Sequence, residues 1–294
     1  MDNLPERIAL VLACEGMGDC LFAQAVIRKM HAKARGRHAF TLYTHHPALF
    51  RACPYVAEAR AMSQLPGPSE PPLKGVKLFE LDKLPHTQMD TFDFVSIPLG
   101  LGELSFREKQ LEYFATEEDH AEAFDVVVNT SMTWPSRSWP LERWQRLGKA
   151  LVDRGMRVAV VGKEVRSNFD NIVKRSHALE GCRNLIDRLT LDQTYYTIRK
   201  ARLFVSCQNG LSVLAGATDT ELVVLDMSIE WSKRAIYRHE DPHYKVTYVK
   251  GGCGIYCGAP NDCPVPEHLG ELKCIPSYES VEKAVLGKLG LLED

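Results

Sequence analysis

The stretch from Leu203 to Asp226 (LFVSCQNGLSVLAGATDTELVVLD) restricts this chain to few folds. Leu203 to Ser206 is a short apolar, β-prone run with the length of a buried parallel strand, and Glu221 to Asp226 is a second. Between them the sequence reads as a helix. Gln208, Asn209 and Gly210 form the break before it, where Gly permits a tight turn, and Ser212 falls in the first helical turn. A strand, a helix and a strand in so short a span lie parallel with a right-handed crossover. The helix start points unpaired N–H groups and the positive end of its dipole beyond the strand end, which suits an anion. An ordinary strand-to-helix turn with no ligand fits these residues equally well.

The same unit recurs. Arg7 to Ala13 is a buried-type strand followed by Cys14-Glu15-Gly16-Met17-Gly18-Asp19 and an amphipathic helix to about Lys33, with Leu21, Phe22, Ala25, Val26 and Met30 on its apolar side. Phe40 to Thr44 and Val76 to Leu81 read as strands, His46 to Cys53 as a short helix, and Glu103 to Glu118 as a helix. At Asp125 the pattern restarts with a strand to Thr130. A helix follows from Pro140, which suits a first turn, to Arg154, then a strand from Met156 to Val161 and helices at Val165 to His177 and Leu191 to Ala201. Strands alternating with helices predict an α/β protein with parallel sheets. The restart predicts two doubly wound, Rossmann-like domains, 1–124 and 125–294, facing a cleft; ligands of such sheets bind outside the carboxyl ends of the strands.

Composition narrows the partners. With 294 residues, 25% charged and a formal charge of −2, the chain reads as an ordinary globular protein, and nucleic acid is not suggested. The densest basic segment, Arg28 to His38, keeps that partner open but reads first as a solvated helix face. No apolar run reaches the roughly 18 residues of a membrane helix and no export signal is present, so a cytoplasmic protein without membrane insertion is expected.

Candidate chemistry gathers at the two rims. Asp19 could serve as general base toward a hydroxyl, or merely cap its helix. Gly16 and Gly18 clear side chains from a place a ligand would need. After the strand that begins at Asp125, Ser131, Thr133, Ser136, Arg137 and Ser138 share one loop, with Trp134 and Trp139 as apolar anchors. Hydroxyls and a guanidinium at a strand end make a phosphate clamp, although Arg137 reads equally as a surface residue. Lys163 and Glu164 could meet a phosphate and a ribose hydroxyl, or be helix-entry charges.

Cys253-x3-Cys257-x5-Cys263-x10-Cys274 is a sharper signal. Thiols clustered in a Gly- and Pro-rich, aperiodic stretch read as a loop wrapped on structural zinc or iron. Reduced thiols in a loose loop, or disulfides, are the plainer readings.

Taken together, Gly16 to Asp19, Trp134 to Pro140 and Asn209 to Ala217 resemble the heptosyltransferase-like glycosyltransferases of family nine, and the likeness covers most of the chain. The Cys-rich element resembles that of the autotransporter heptosyltransferase branch, which binds iron. The resemblance implies a GT-B fold with the nucleotide-sugar donor on the C-terminal domain. Asp19 then matches the catalytic base, Thr133 and Arg137 the phosphate-contacting hydroxyl and cation, and Gln208, Asn209, Gly210 and Ser212 the diphosphate turn. Gln208 and Val213 depart from the usual acidic residue and His, which leaves the donor open. The implied activity is inverting transfer of a sugar, such as a heptose, from a nucleotide-diphosphate sugar to an acceptor hydroxyl on a glycan, a protein or another substrate. No catalytic metal is expected, and a homo-oligomer is left open, since the sequence hides the oligomeric state. A nucleotide-sugar epimerase, or a silent nucleotide-sugar-binding or assembly subunit, fits the same architecture.

Overall fold

The structure is a computed structural model describing residues 6–66, 77–79, 90–132, 134–166, 173–259 and 262–292. The first sheet is built from β1 (Glu6–Leu12), β2 (His38–Thr44), β3 (Glu58–Ala61) and β4 (Lys77–Phe79), all parallel in the order β3-β2-β1-β4. Helix α1 (Met17–Ala34) connects β1 to β2, and α2 (Thr91–Ser96) follows β4. α1 starts on Gly16 and stops where Arg35 turns left-handed at φ 48°. Its side chains Leu21, Phe22, Ala25 and Val26 are buried, as their helical spacing predicts.

The second sheet runs β12-β11-β10-β5-β6-β9 and is parallel throughout. Its strands are β5 (Val126–Asn129), β6 (Val158–Val160), β9 (Arg183–Asn184), β10 (Leu203–Cys207), β11 (Glu221–Asp226) and β12 (Val246–Lys250). Between β6 and β9 the short strands β7 (Val165–Arg166) and β8 (Val173–Lys174) pair antiparallel. Helices α3 (Leu141–Asp153), α4 (Leu191–Lys200), α5 (Gly210–Gly216) and α6 (Tyr278–Leu289) complete it. Every residue of β5 and β10 is buried, which is why both are apolar on both faces.

One hydrophobic cluster draws on both sheets, joining Leu10, Leu12 and Phe22 to Val127, Phe204, Leu214 and Ile236. A second lies beneath α3 and α6, centred on the fully buried Trp139. Trp139 stands edge-on to Trp144 at 4.8 Å and stacks on Tyr278 at 6.3 Å, and its indole N–H donates to the Pro276 carbonyl at 2.9 Å. The expected result of Trp139→Ala is a loss of about 3–5 kcal/mol in urea unfolding, since an emptied aromatic site cannot collapse fully.

Three sequence expectations change. The helix expected at Glu103 to Glu118 is absent; the segment runs as turns with an isolated bridge from Gln110 to Tyr237. Side chains pair its backbone groups instead. The Arg28 guanidinium donates to the carbonyls of Glu108 and Gln110 at 2.7 and 3.1 Å, and the Asp192 carboxylate accepts the N–H groups of Thr116 and Glu117. The helix expected at Val165 to His177 is replaced at its ends by β7 and β8, its middle lying outside the described residues. β-Branched Val165 and Val173 suit that pairing. Strands β3 and β12 were not expected; each is a short edge strand whose sequence lacks a strong apolar run.

Asp192 also accepts the Tyr113 and Thr116 hydroxyls, fixing the segment between the sheets to α4. Burial pushes its carboxyl up, but these donors outweigh it and hold the carboxyl below its ordinary range. Asp192→Ala leaves several donors unpaired, and its expected cost is about 1–3 kcal/mol in thermal or urea unfolding.

Candidate active site

The carboxyl ends of β1, β5, β10 and β11 converge where α1 meets α5. Asp19 is the third residue of α1, so it is not the cap the sequence allowed; Gly16 is. Its carboxylate folds back over Gly16, so that a Cβ built there would lie 2.3 Å from Oδ2. A Cβ on Gly18 would lie 3.2 Å from Val213 Cγ2 and 3.3 Å from Gly210 Cα. These glycines therefore make room for Asp19 and for the close approach of α5, where the sequence suggested room for a ligand.

Opposite Asp19 stands Arg234, which the sequence did not single out. It ends a short 3-10 turn, Trp231–Arg234, and its guanidinium pairs with Asp19 at 3.0 Å, with both side chains largely buried. Nothing in Trp231-Ser232-Lys233-Arg234 marks it; only the meeting of the two sheets does. Arg137 is close to both. Carried on the Pro135–Arg137 turn, it donates to the Gln208 carbonyl and lies 5.3 Å from the Trp134 ring, while its Nε has no partner. Burial first, then the neighbouring charge of Arg234, pushes the Arg137 guanidinium down to about 10, against the pull of Asp19. At neutral pH it stays charged. One carboxylate thus pairs with Arg234 and lies within the field of Arg137, leaving a positive excess where a phosphate would be welcome.

The diphosphate turn is more occupied than the sequence implied. Asn209 caps α5, its side-chain oxygen accepting the N–H groups of Leu211 and Ser212, and the Ser212 hydroxyl accepts the Asn209 N–H in return. These helix-end donors are consumed by the cap, so anion binding falls mainly to side chains. Asn209 also donates to the Asn129 side chain at 2.7 Å, tying α5 to the end of β5. Gly210 is packed against Met17 and Gly18. The space among Gln208, Asn209, Ser212, Val213 and Arg234 is only about 10 Å³.

Gln208 is buried and donates to Asp226 at 3.1 Å, while its side-chain oxygen has no partner. Burial pushes Asp226 up from 3.8 to about 7, with Lys250 and the Tyr256 hydroxyl opposing and Glu230 adding to the rise. The folded protein keeps this proton at pH values where the unfolded chain has lost it. Stability therefore falls as pH rises from about 4 to about 7, on the order of 1.4 kcal/mol per pH unit from this group. Asp226→Asn should flatten that slope in urea titrations at pH 5 and pH 8.

Thr133 lies outside the described residues. Glu164 is exposed, pairing with Arg175 at 3.6 Å, and its backbone N–H donates to Asp187. It sits apart from the Asp19–Arg137–Arg234 group in its contacts. The basic segment Arg28 to His38 forms the outer face and end of α1: Arg28 pairs with Glu112 at 2.7 Å and Lys29 with Glu108 at 3.1 Å, beside an open groove of about 750 Å³.

The cysteine loop is bound to the same rim. Ser136 donates to the Ala259 carbonyl, Gly258 N–H donates to the Ser228 carbonyl at 2.9 Å, and the Tyr256 hydroxyl meets Asp226 at 3.4 Å. Cys274 is buried, and its thiol is pushed up to about 11 by burial first and then by the charges of Cys257, Cys253 and Cys263. The Cys263 thiol contacts His268 Nδ1 at 3.1 Å. Among the described residues, no three His, Cys, Asp or Glu side chains are set closely enough to hold a metal ion. No helix among them is long and apolar enough to cross a membrane.

Comparison with known proteins agrees with this layout. A family model described as glycosyltransferase family 9 (heptosyltransferase) matches residues 95–225. A search of the curated proteins finds no match. Among solved structures, the bacterial iron-containing dodecameric glycosyltransferase TibC from enterotoxigenic E. coli is similar, with TM-score 0.67 and 16% identity over 98% of this chain and 76% of that one. The family 9 glycosyltransferase of Veillonella parvula gives TM-score 0.62 and 11% identity over 98% of both chains. The ADP-heptose LPS heptosyltransferase II of E. coli gives 0.59 and 14%, over 96% of this chain and 98% of that one. At these identities the structures speak for the fold: two doubly wound domains, as the alternating strands and helices predict, in the GT-B arrangement that the resemblance implies. The family model adds a likeness in sequence: residues 95–225 are similar to glycosyltransferase family 9 (heptosyltransferase).

Proposed function

We propose that the protein is an inverting glycosyltransferase moving a sugar from a nucleoside-diphosphate sugar to an acceptor hydroxyl. The observation that carries this is the meeting of Asp19 from the first sheet with Arg234 and Arg137 from the second, a base and two cations at one rim. The acceptor lies against residues 1–124 and the donor against 125–294. Asp19 takes the acceptor proton, the hydroxyl attacks the anomeric carbon, and the nucleoside diphosphate leaves toward Arg137, where a fixed guanidinium stabilises the charge that develops. Gln208, Asn209, Gly210 and Ser212 shape the wall behind it, and Thr133 and Glu164 remain candidates for the donor's phosphate and ribose.

ADP-heptose is the first donor to try, since TibC was solved with ADP-D-β-D-heptose and another similar structure, E. coli heptosyltransferase WaaC, with ADP. Neither the epimerase nor the silent-subunit reading is favoured by any contact in the site. The test is release of nucleoside diphosphate from ADP-heptose and from GDP- and UDP-sugars, with glycan and protein acceptors. Release dependent on acceptor supports the reading; tight binding with no release under any pairing contradicts it.

The four cysteines are the donor set for a structural zinc or iron, and TibC is described as iron-containing. Four thiols on one loop suit such an ion, and since no three of them are set closely enough to hold it among the described residues, the loop would have to close around it. Bound there, the ion would staple the loop through thiolate ligands and take no part in transfer. The expected result is about one metal ion per chain by elemental analysis, lost in Cys257→Ser together with thermal stability. TibC is dodecameric, and a homo-oligomer is proposed here for analytical ultracentrifugation to check.

A further inference from the structure

We infer that Arg234 is a donor-phosphate ligand held in reserve: without donor it occupies Asp19, and the incoming diphosphate draws it away, freeing the base only when there is a sugar to transfer. This rests on the glycosyltransferase reading above and adds the residue that couples donor binding to activation of the base.

Four observations converge. The Asp19–Arg234 pair, at 3.0 Å, joins the two sheets, and the carboxylate engaged by a guanidinium has that face closed to an acceptor hydroxyl. A second link lies beside it, where the Thr91 hydroxyl at the start of α2 donates to the Lys233 carbonyl at 2.7 Å, so the Trp231–Arg234 turn is tied twice to the first sheet. The space bounded by Gln208, Ser212, Val213 and Arg234 holds about 10 Å³, room for no more than a single water, so a diphosphate enters only if this turn and the α1–α5 contact give way. Finally, Arg137 and Arg234 are close enough for their charges to oppose one another, and Asp19, paired with Arg234, is an anion within reach of both. A phosphate supplies the missing negative charge and gives Arg234 a partner that competes with Asp19. The exchange breaks and makes only ion pairs, so no electrons or protons are needed to balance it.

Linkage makes this testable without turnover. If Arg234 must leave Asp19 to reach the phosphate, then removing Asp19's hold strengthens diphosphate binding, and the gain exists only while Arg234 is present. ADP, GDP, UDP and CDP are titrated calorimetrically into the full-length protein, and the tightest is carried through Asp19→Asn, Arg234→Ala, Arg234→Lys and the Asp19→Asn/Arg234→Ala double variant. The expected results are binding weakened about 30-fold or more by Arg234→Ala, partly restored by Arg234→Lys, and tightened about 5-fold or more by Asp19→Asn. In the double variant that tightening disappears. A tightening that persists there is simple repulsion between Asp19 and phosphate, and it overturns the inference, as does unchanged affinity in Arg234→Ala. Thermal unfolding of each variant shows whether it is folded, and the Lys variant keeps the test decisive if Ala is not. Should no diphosphate bind the wild-type protein, the donor site itself is wrong; a wild type that binds with a flat cycle removes only the role given to Arg234.

Discussion

Asp19→Asn is expected to lower sugar transfer by about 10²–10⁴-fold, the usual contribution of a positioned base, without weakening the binding of nucleoside diphosphate. The substitution keeps size and hydrogen-bonding shape at the third position of α1, so the fold has no reason to change. What it removes is the ability to take the acceptor's proton. The charge partner Arg234 is left without its carboxylate, and a bound phosphate can then claim it. Steady-state kinetics should show the loss in kcat, with donor KM unchanged or lower. A loss confined to KM would mean that Asp19 binds donor and is no base.

Arg137→Met should lower kcat by about 10²–10³-fold, the scale seen when one donor aimed at developing charge is removed. Met fills much of the buried volume but carries no charge. The Gln208 carbonyl loses its partner, so a stability cost of about 1–3 kcal/mol is expected alongside. Arg137→Lys separates the two effects. It restores charge without the fork that lets one guanidinium hold the Gln208 carbonyl while its unpartnered Nε faces elsewhere, so partial recovery of kcat is expected. A fully active Met variant would remove Arg137 from the chemistry.

Much of this fold is legible in the sequence because its strands are buried on both faces. Strands β5 and β10 have no polar side to alternate with, and their apolar runs stand out. Capped helices such as α4, with the Thr190–Gln193 box, are equally plain. The segment 103–118 is not, because its order comes from distant partners, Arg28 on α1 and Asp192 on α4, which no local pattern announces. The site divides in the same way. Asp19 and Arg137 follow strands within Gly- or Trp-marked turns and could be singled out from spacing. Arg234 could not, since its meaning depends on a carboxylate 215 positions away (234 − 19) that only the meeting of the two sheets brings to it. Asn209 misled in the other direction: a Gly-containing turn suggests open N–H groups, and the capping side chain closes them.

The most direct test of the central claim is cleavage of ADP-heptose, and of GDP- and UDP-sugars in parallel, by the wild type and Asp19→Asn, with released diphosphate quantified and the product anomer assigned by NMR. The account predicts that the wild type cleaves one donor series with inversion at the anomeric carbon, and that Asp19→Asn binds the same nucleotide but scarcely cleaves. Retention of configuration, or cleavage by Asp19→Asn at the wild-type rate, would contradict it.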